Sequence, residues 1–129
     1  MDKLNEMYLE QSHKVIAVDY DGTITLEQEF GKKADLNPEA KKYLDLLNEK
    51  GFKIVLWTAR LYDNYKGVLE RCHKEFNMPY ILEDSPNLLH GASGKLVAAY
   101  YIDDKSNFEK INWDRTYSSI LEKYLKYID

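Results

Sequence analysis

The sequence predicts an α/β fold built on a parallel sheet, and three observations support this prediction. Two continuous apolar runs, residues 14–19 and 52–57, have the composition of strands buried on both faces. Between them, Pro38 follows Asn37 and opens a helical pattern that ends at Gly51. A strand, helix, strand unit of this kind has a right-handed crossover and parallel strands. We therefore expect a three-layer Rossmann-like sheet with helices on both faces.

The chain after the second strand supplies two more strands and two more helices. Residues 61–76 carry apolar side chains at helical spacing, and residues 79–82 form a short apolar run that predicts a third strand. A loop rich in turn residues over 83–94 leads to a fourth apolar run at 96–102. The final stretch, which starts at Trp113, predicts a helix that packs back on the sheet.

The length and composition fit one soluble domain over residues 1–129. No window approaches the roughly 20 apolar residues of a membrane span, so we expect no membrane partner. Residues 1–12 predict a helical extension that lacks the apolar centre of a signal peptide, which favours a cytoplasmic protein. The single cysteine, Cys72, excludes an internal disulfide and a cysteine metal site. The net charge of −4 disfavours a protein that grips long nucleic acid, although a local basic patch stays open.

Functional groups follow three of the four predicted strands. The first strand finishes in Asp19 and Asp21, the second in Thr58 and Arg60, and the fourth in Asp103 and Asp104, with Lys95 just before that last strand. Because the carboxyl ends of parallel strands meet at one edge, where open sheets bind ligands, we expect these groups to lie together.

The chemistry of these groups points to a cation and a phosphate. Carboxylate oxygens without thiolates suit Mg²⁺, which binds one or two carboxylates together with substrate phosphate and water. The charge of a phosphate ester would be met by Mg²⁺, Lys95, the Thr58 hydroxyl and backbone N–H groups around Gly22 and Thr23. The sequence therefore predicts phosphoryl transfer, with either an aspartate or water as the attacking group.

The type, order and spacing of these residues resemble the four motifs of the haloacid dehalogenase superfamily. The resemblance spans residues 14–105 and rests on Asp19-x-Asp21-Gly22-Thr23, Thr58, Lys95 and Asp103-Asp104. The finer patterns over 57–60 and 101–105 are similar to small capless phosphatase-like members found in bacteria and phages. The resemblance implies a fold without a cap domain.

The same resemblance implies a two-step mechanism through an aspartyl-phosphate. It makes Asp19 the nucleophile and Asp21 the acid that protonates the leaving oxygen and then the base for water. It implies that Thr58 binds the transferring phosphoryl group. It also implies that the positive charge of Lys95 holds the negatively charged nucleophile and phosphate together. Lys105 is an alternative for this cationic role, because Lys95 lies only eight residues before Asp103.

The resemblance also implies a metal set and a substrate set. Mg²⁺ would be held by Asp19, by the backbone carbonyl of Asp21 and by Asp103, with Asp104 supporting the water shell of the metal. Gly22, Thr23, Ala59 and Arg60 are the predicted substrate-binding residues, and Arg60 is the candidate for contact beyond the phosphate.

The predicted site is open, because residues 24–37 are long enough only for a flap. Such a site takes a large substrate, or is closed by a partner or by a second copy of the chain. The leading prediction is a Mg²⁺-dependent phosphomonoesterase for a small phosphorylated metabolite or sugar. A polynucleotide 3′-end phosphatase is an alternative that the acidic balance disfavours. A phosphorylated regulatory or binding module is a second alternative, although Asp21 should hasten hydrolysis of its aspartyl-phosphate.

Overall fold

The structure is a computed structural model that describes residues 2–26, 33–58, 62–103 and 111–128, and it describes residues 62–64 by their backbone alone. Its strands are β1 (Val15–Val18), β2 (Lys53–Leu56), β3 (Leu82–Glu83) and β4 (Tyr100–Ile102). Its helices are α1 (Lys3–Lys14), α2 (Pro38–Glu49), α3 (Tyr62–Lys74) and α4 (Trp113–Ile128). None of these helices is both long enough and apolar enough to cross a membrane.

The four strands form one parallel sheet in the order β3-β2-β1-β4. The chain therefore moves outward from β1 through β2 to β3, and then returns to the other side of β1 as β4. The point at which the strand order reverses lies between β1 and β4. In open α/β sheets this reversal opens a crevice at the carboxyl ends of the two strands, and ligands bind there.

The α2 helix begins and ends where the sequence predicts. The Asn37 side chain accepts a hydrogen bond from the Glu39 amide at 3.0 Å, and Pro38 takes the first helical position. After the helix, Gly51 has a φ of +95°, a conformation that glycine adopts without strain. The predicted parallel pairing of β1 with β2 is confirmed, with Val18 opposite Leu56.

Several predicted boundaries are wrong by a few residues. The α1 helix continues through Lys14, so β1 begins one residue later than the apolar run. The third strand was expected at 79–82 but begins at Leu82, because the Ile81 amide is engaged in a turn with the Met78 carbonyl at 3.3 Å. The fourth strand begins at Tyr100. The start of its predicted run is used in an antiparallel bridge instead.

One face of the sheet is covered by three helices. The fully buried side chains of Ile16, Val18 and Leu56 form one hydrophobic cluster with residues of α2, α3 and α4. Because both right-handed crossovers proceed in the same direction along the sheet, α2 and α3 lie on the same face. Edge-to-face contact between Phe52 and Tyr124, with ring centres 5.2 Å apart, adds α4 to that face.

The second face differs from the expected helical layer. Val15, Ala17 and Val55 form a separate cluster there, covered by Leu96 together with Leu88 and Ala98. These covering residues belong to the segment 84–99, which contains no helix and carries turn residues throughout. Such composition favours local turns over a continuous helix, so the crossover from β3 to β4 covers this face as a loop.

The helical face should dominate the stability of the fold. Leu44 of α2 has no exposed surface, whereas Leu4 of α1 is 62% exposed. We expect Leu44→Ala to lower the free energy of unfolding by about 2–5 kcal/mol, because it leaves a cavity in the core. Leu4→Ala, the matched control, should change it by less than about 0.5 kcal/mol. Urea unfolding followed by circular dichroism measures both values, and equal losses would contradict this packing.

Candidate active site at the carboxyl edge of the sheet

Asp19 lies at the carboxyl end of β1, between the ends of two neighbouring strands. Its amide donates a hydrogen bond to the Ile102 carbonyl of β4 at 3.0 Å. On the other side, the Trp57 amide donates to the Val18 carbonyl at 2.8 Å. The backbone of Asp19 is extended, with φ −77° and ψ 160°. Backbone hydrogen bonds to both neighbouring strands therefore continue to the end of β1, and Asp19 lies at the base of the crevice that opens where the strand order reverses.

A tight turn follows, and glycine makes it possible. Gly22 has a φ of +73°, which residues with a Cβ adopt only under strain. The Thr25 amide closes the turn on the Tyr20 carbonyl at 3.1 Å. The Asp19 carboxylate accepts the Tyr20 amide hydrogen at 2.8 Å. These contacts fix the path of the backbone through Asp21, whose side chain is half-buried.

Thr25 is a turn residue that the sequence reasoning missed. Its side chain is buried, and its hydroxyl donates to the Tyr20 carbonyl at 3.4 Å and accepts from the Gly22 amide at 3.2 Å. The Gly22 amide, which was expected to face a phosphate, is therefore engaged within the turn. Thr23 is fully buried in the same turn. The signal for Thr25 was its place two residues after the Asp-Gly-Thr motif, but its hydrogen bonds depend on the turn geometry.

Asp103 follows β4 on the other side of the crevice. Val18 pairs with Ile102, and Ala17 pairs with Tyr101. Because side chains alternate along a strand, Asp19 and Asp103 continue the row that contains Ala17 and Tyr101. The two carboxylates thus end adjacent strands on the same face of the sheet.

The donor chemistry at these strand ends fits Mg²⁺. Within the described ranges, no three His, Cys, Asp or Glu side chains come together as a metal-binding group, and Asp104 lies outside those ranges. The set that the resemblance implies needs only the carboxylates of Asp19 and Asp103. The backbone carbonyl of Asp21, phosphate and water would complete it, and all of these ligands are the hard oxygens that Mg²⁺ prefers.

Thr58 lies two residues after β2, and its side chain is half-buried. The residue before it, Trp57, still forms a backbone hydrogen bond with β1, to the carbonyl of Val18, the residue that precedes Asp19. Ala59 and Arg60, the other predicted residues of this segment, lie outside the described residues. The structure thus brings Thr58 to the edge that holds Asp19 and Asp103.

Tyr65 of α3 forms hydrogen bonds with backbone groups at the same edge of the sheet. Its hydroxyl donates to the Leu56 carbonyl at 2.9 Å and accepts the Asp84 amide hydrogen at 2.8 Å, so it joins the carboxyl ends of β2 and β3. Burial is the main cause that raises the pKa of Tyr65 to about 12. The hydroxyl therefore stays protonated at neutral pH and keeps its donated hydrogen bond.

Lys95 reaches the face of the sheet to which alternation assigns Asp19. Its ammonium nitrogen lies 4.1 Å from the centre of the Tyr101 ring and 5.7 Å from that of the Trp57 ring. The two rings meet edge to face with their centres 5.5 Å apart. Contacts of this kind hold a cation over aromatic faces. Lys105, the alternative cation, lies outside the described residues.

Tyr20 anchors the turn from the opposite face. Its side chain is 3% exposed and lies in the helical cluster, on the face opposite to the one that alternation assigns to Asp19. Arg71 of α3 donates to the Tyr20 hydroxyl at 2.9 Å and forms an ion pair with Glu75. The Arg71 guanidinium also lies over the Phe76 ring, 4.6 Å from its centre. The turn is therefore tied to α3 through a nearly buried guanidinium.

Comparison with solved structures finds a protein that shares both the fold and a related sequence. It is described as a conserved protein from Bacteroides thetaiotaomicron, and it is 32% identical to this chain with a TM-score of 0.67. The similarity covers 84% of this chain and 90% of that protein. No protein-family model matches the chain, and no curated protein matches it. At this identity and coverage, the chain belongs to the same family as the Bacteroides protein.

Proposed function

We propose that the protein is a Mg²⁺-dependent phosphomonoesterase that acts on a small phosphorylated metabolite or sugar through an aspartyl-phosphate. The observation that carries the proposal is the position of Asp19 and Asp103 on either side of the point where the strand order reverses. The bond between the Asp19 amide and the Ile102 carbonyl, at 3.0 Å, ties the two strand ends together. A pair of carboxylates at such a crevice supports metal-assisted phosphate chemistry.

In the first step, a carboxylate oxygen of Asp19 attacks phosphorus, and the bond from phosphorus to the leaving oxygen breaks. Asp21 gives its proton to that oxygen, so the product leaves as a neutral alcohol. In the second step, Asp21 takes a proton from water, and the water oxygen attacks phosphorus. The bond between Asp19 and phosphorus breaks, which releases inorganic phosphate and restores the Asp19 carboxylate.

The other site residues hold and neutralise the phosphoryl group. The Thr58 hydroxyl donates a hydrogen bond to a phosphoryl oxygen, and the Lys95 ammonium offsets the charge that accumulates as two anions approach. Bound Mg²⁺ would supply further positive charge and orient the phosphate toward the nucleophile. Each of these groups acts on a part of the phosphate that any monoester shares. Specificity for the rest of the substrate must therefore come from other residues.

The base of the flap supports a capless site. The Leu26 amide donates to the Asp35 carbonyl at 2.9 Å, and the Asn37 amide donates to the Ile24 carbonyl at 2.8 Å. The arms of the flap are thus paired with each other directly beside the turn that follows Asp19. Only eight residues, 27–34, connect the paired positions Leu26 and Asp35. This length is far below that of a domain, so the proposed site admits its substrate without a cap.

Phosphate release tests the proposed function. The substrates are sugar phosphates, nucleotides and a 3′-phosphorylated oligonucleotide, each assayed with Mg²⁺ and with EDTA. We expect Mg²⁺-dependent release that is fastest with a small phosphomonoester. Faster release from the oligonucleotide would favour an end phosphatase. A phosphoprotein that persists for many minutes without turnover would favour a regulatory module, and absence of both activities would contradict the proposal.

The tether between Tyr20 and Arg71 should control the rate of turnover. Tyr20→Phe keeps the ring but removes the hydroxyl, which leaves the nearly buried guanidinium without one hydrogen bond. We expect kcat to fall about tenfold with little change in KM, because the turn that carries Asp19 and Asp21 is held less firmly. The free energy of unfolding should fall by about 1–3 kcal/mol.

Tyr43→Phe is the matched control for this substitution. The Tyr43 hydroxyl also bonds a charged side chain, donating to Asp114 at 3.2 Å, but it does so on the exposed surface between α2 and α4. The control should leave kcat unchanged. Steady-state kinetics compares the two variants, and an equal effect of both on kcat would contradict a role for the tether.

A further inference from the structure

Lys95 belongs to a short antiparallel hairpin, which we call the Lys95 hairpin and define as residues 89–97. The Gly91 amide donates to the Lys95 carbonyl at 2.7 Å, and the Val97 amide donates to the Leu89 carbonyl at 3.0 Å. His90 and Leu96 form an antiparallel bridge between these bonds. The hairpin lies between β3 and β4 and covers the second face of the sheet. It carries a cation of the proposed site on a strand that is not part of the main sheet.

Gln11 of α1 bonds both strands of the Lys95 hairpin. Its side-chain nitrogen donates to the Leu89 carbonyl and to the Val97 carbonyl, each at 3.2 Å. Its side-chain oxygen accepts the Leu89 amide hydrogen at 2.8 Å. Gln11 is only 6% exposed, so these bonds are largely shielded from water. One amide thus joins two strands to each other and to α1.

This arrangement makes the hairpin depend on α1. Buried polar groups cost free energy when they lose their partners. Removal of the Gln11 amide would take this partner from the Leu89 amide and the Val97 carbonyl, and it would leave the Leu89 carbonyl with the Val97 amide. At the other end of the hairpin, Leu96 is fully buried in the second cluster, and Lys95 lies over Tyr101. Gln11 therefore fixes the open end of the hairpin while Leu96 fixes the strand next to Lys95.

We propose that Gln11 is a positioning residue for the phosphate site and acts through Lys95. The proposal rests on the proposed function, since it takes Lys95 to be the cation that meets the phosphate. In this proposal α1 contributes to the phosphate site, although it precedes the motifs that carry the superfamily resemblance. The sequence alone gave no sign of this, because the partners of Gln11 are 78 and 86 residues away along the chain.

A double-mutant cycle tests the proposal. The variants are Gln11→Met, Lys95→Met and the combination of both, and the measured quantity is the inhibition constant of inorganic phosphate against phosphomonoester turnover. We expect Gln11→Met to weaken phosphate binding about tenfold when Lys95 is present. It should have almost no effect once Lys95 is methionine, because interacting residues are not additive. The proposal would be overturned if the double variant weakened phosphate binding by the full product of the two single-variant effects. It would also be overturned if Gln11→Met bound phosphate as tightly as the wild type.

Two further variants keep the test sharp if Gln11→Met folds poorly. Gln11→Glu keeps the acceptor for the Leu89 amide but cannot donate to the two carbonyls, so it should weaken phosphate binding as well. Ser12→Ala is the control on the same helix, because among the described residues the Ser12 hydroxyl bonds neighbours within α1, donating to the Leu9 carbonyl at 3.2 Å and contacting His13. Phosphate binding that is equally weak in Ser12→Ala would overturn the proposal.

Amide hydrogen exchange separates this proposal from the proposed function. The amides of Gly91 and Val97 close the hairpin, and their exchange is measured in the metal-free protein without substrate. Gln11→Met should speed exchange at both amides, whereas Ser12→Ala should not. If the wild-type protein hydrolyses no phosphoester, the proposed function fails while faster hairpin exchange still supports the link from α1. Unchanged exchange in Gln11→Met would overturn that link whatever the activity.

Discussion

Replacing Asp19 with Asn should abolish turnover, with kcat lowered by at least about four orders of magnitude. The amide oxygen of Asn can still accept the Tyr20 amide hydrogen, which Asp19 accepts at 2.8 Å, so the turn should keep its shape. The amide is not a nucleophile, however, and it carries no negative charge to attract a metal ion. The expected loss therefore comes from chemistry and not from unfolding.

The control for this substitution is Asp2→Asn. Asp2 caps the exposed start of α1 by accepting the Asn5 amide hydrogen at 2.8 Å, and Asn caps helices about as well as Asp. This variant should keep wild-type kcat and stability. Phosphate release and thermal unfolding are measured on both variants. Turnover by Asp19→Asn within about tenfold of wild type would contradict its role as nucleophile.

Lys95→Met should give the second-largest loss, a decrease of about two to three orders of magnitude in kcat/KM. Methionine keeps an apolar chain against the rings of Tyr101 and Trp57, which Lys95 now covers, so packing on this face should change little. The positive charge is lost. Two anions, the Asp19 carboxylate and the phosphate, would then approach each other with less compensation.

Lys105→Met decides between the two cations that the sequence leaves open. If Lys95 fills the cationic role, Lys105→Met should change kcat/KM by only a few fold. The two variants are compared with the same substrate at the same Mg²⁺ concentration. A large loss in Lys105→Met together with a small one in Lys95→Met would reverse the assignment, and it would also remove the basis for a link from Gln11 to the phosphate site.

The sequence predicts the central part of the fold well because the signals there are local. The strands β1 and β2 are continuous apolar runs, and α2 has both a capping residue and a proline at its start. Parallel pairing then follows from the length of the connection. The placement of Asp19, Thr58 and Asp103 at one edge follows from the same topology. Their catalytic roles stay predictions, since these rest on the resemblance and on chemistry.

The segment between β3 and β4 could not be predicted, because its structure depends on contacts distant in sequence. Leu96 reads as the start of a strand but pairs with His90, and the hairpin that results takes the place of a covering helix. Gln11 reads as a polar residue of an exposed helix, yet it is buried against backbone groups of that hairpin. Neither of these two contacts is indicated by a pattern in the neighbouring sequence. Both involve the hairpin that carries Lys95.

The most direct test of the account is to trap the phosphorylated protein. Asp21→Asn removes the base that activates water, whereas p-nitrophenyl phosphate has a leaving group that needs no proton, so the first step should outpace the second. Acid quenching followed by peptide mass spectrometry should then find one phosphoryl group on Asp19, formed with Mg²⁺ and absent with EDTA. Turnover of the wild-type protein without any phosphorylated Asp19 in this variant, or with the phosphoryl group on another residue, would contradict the account.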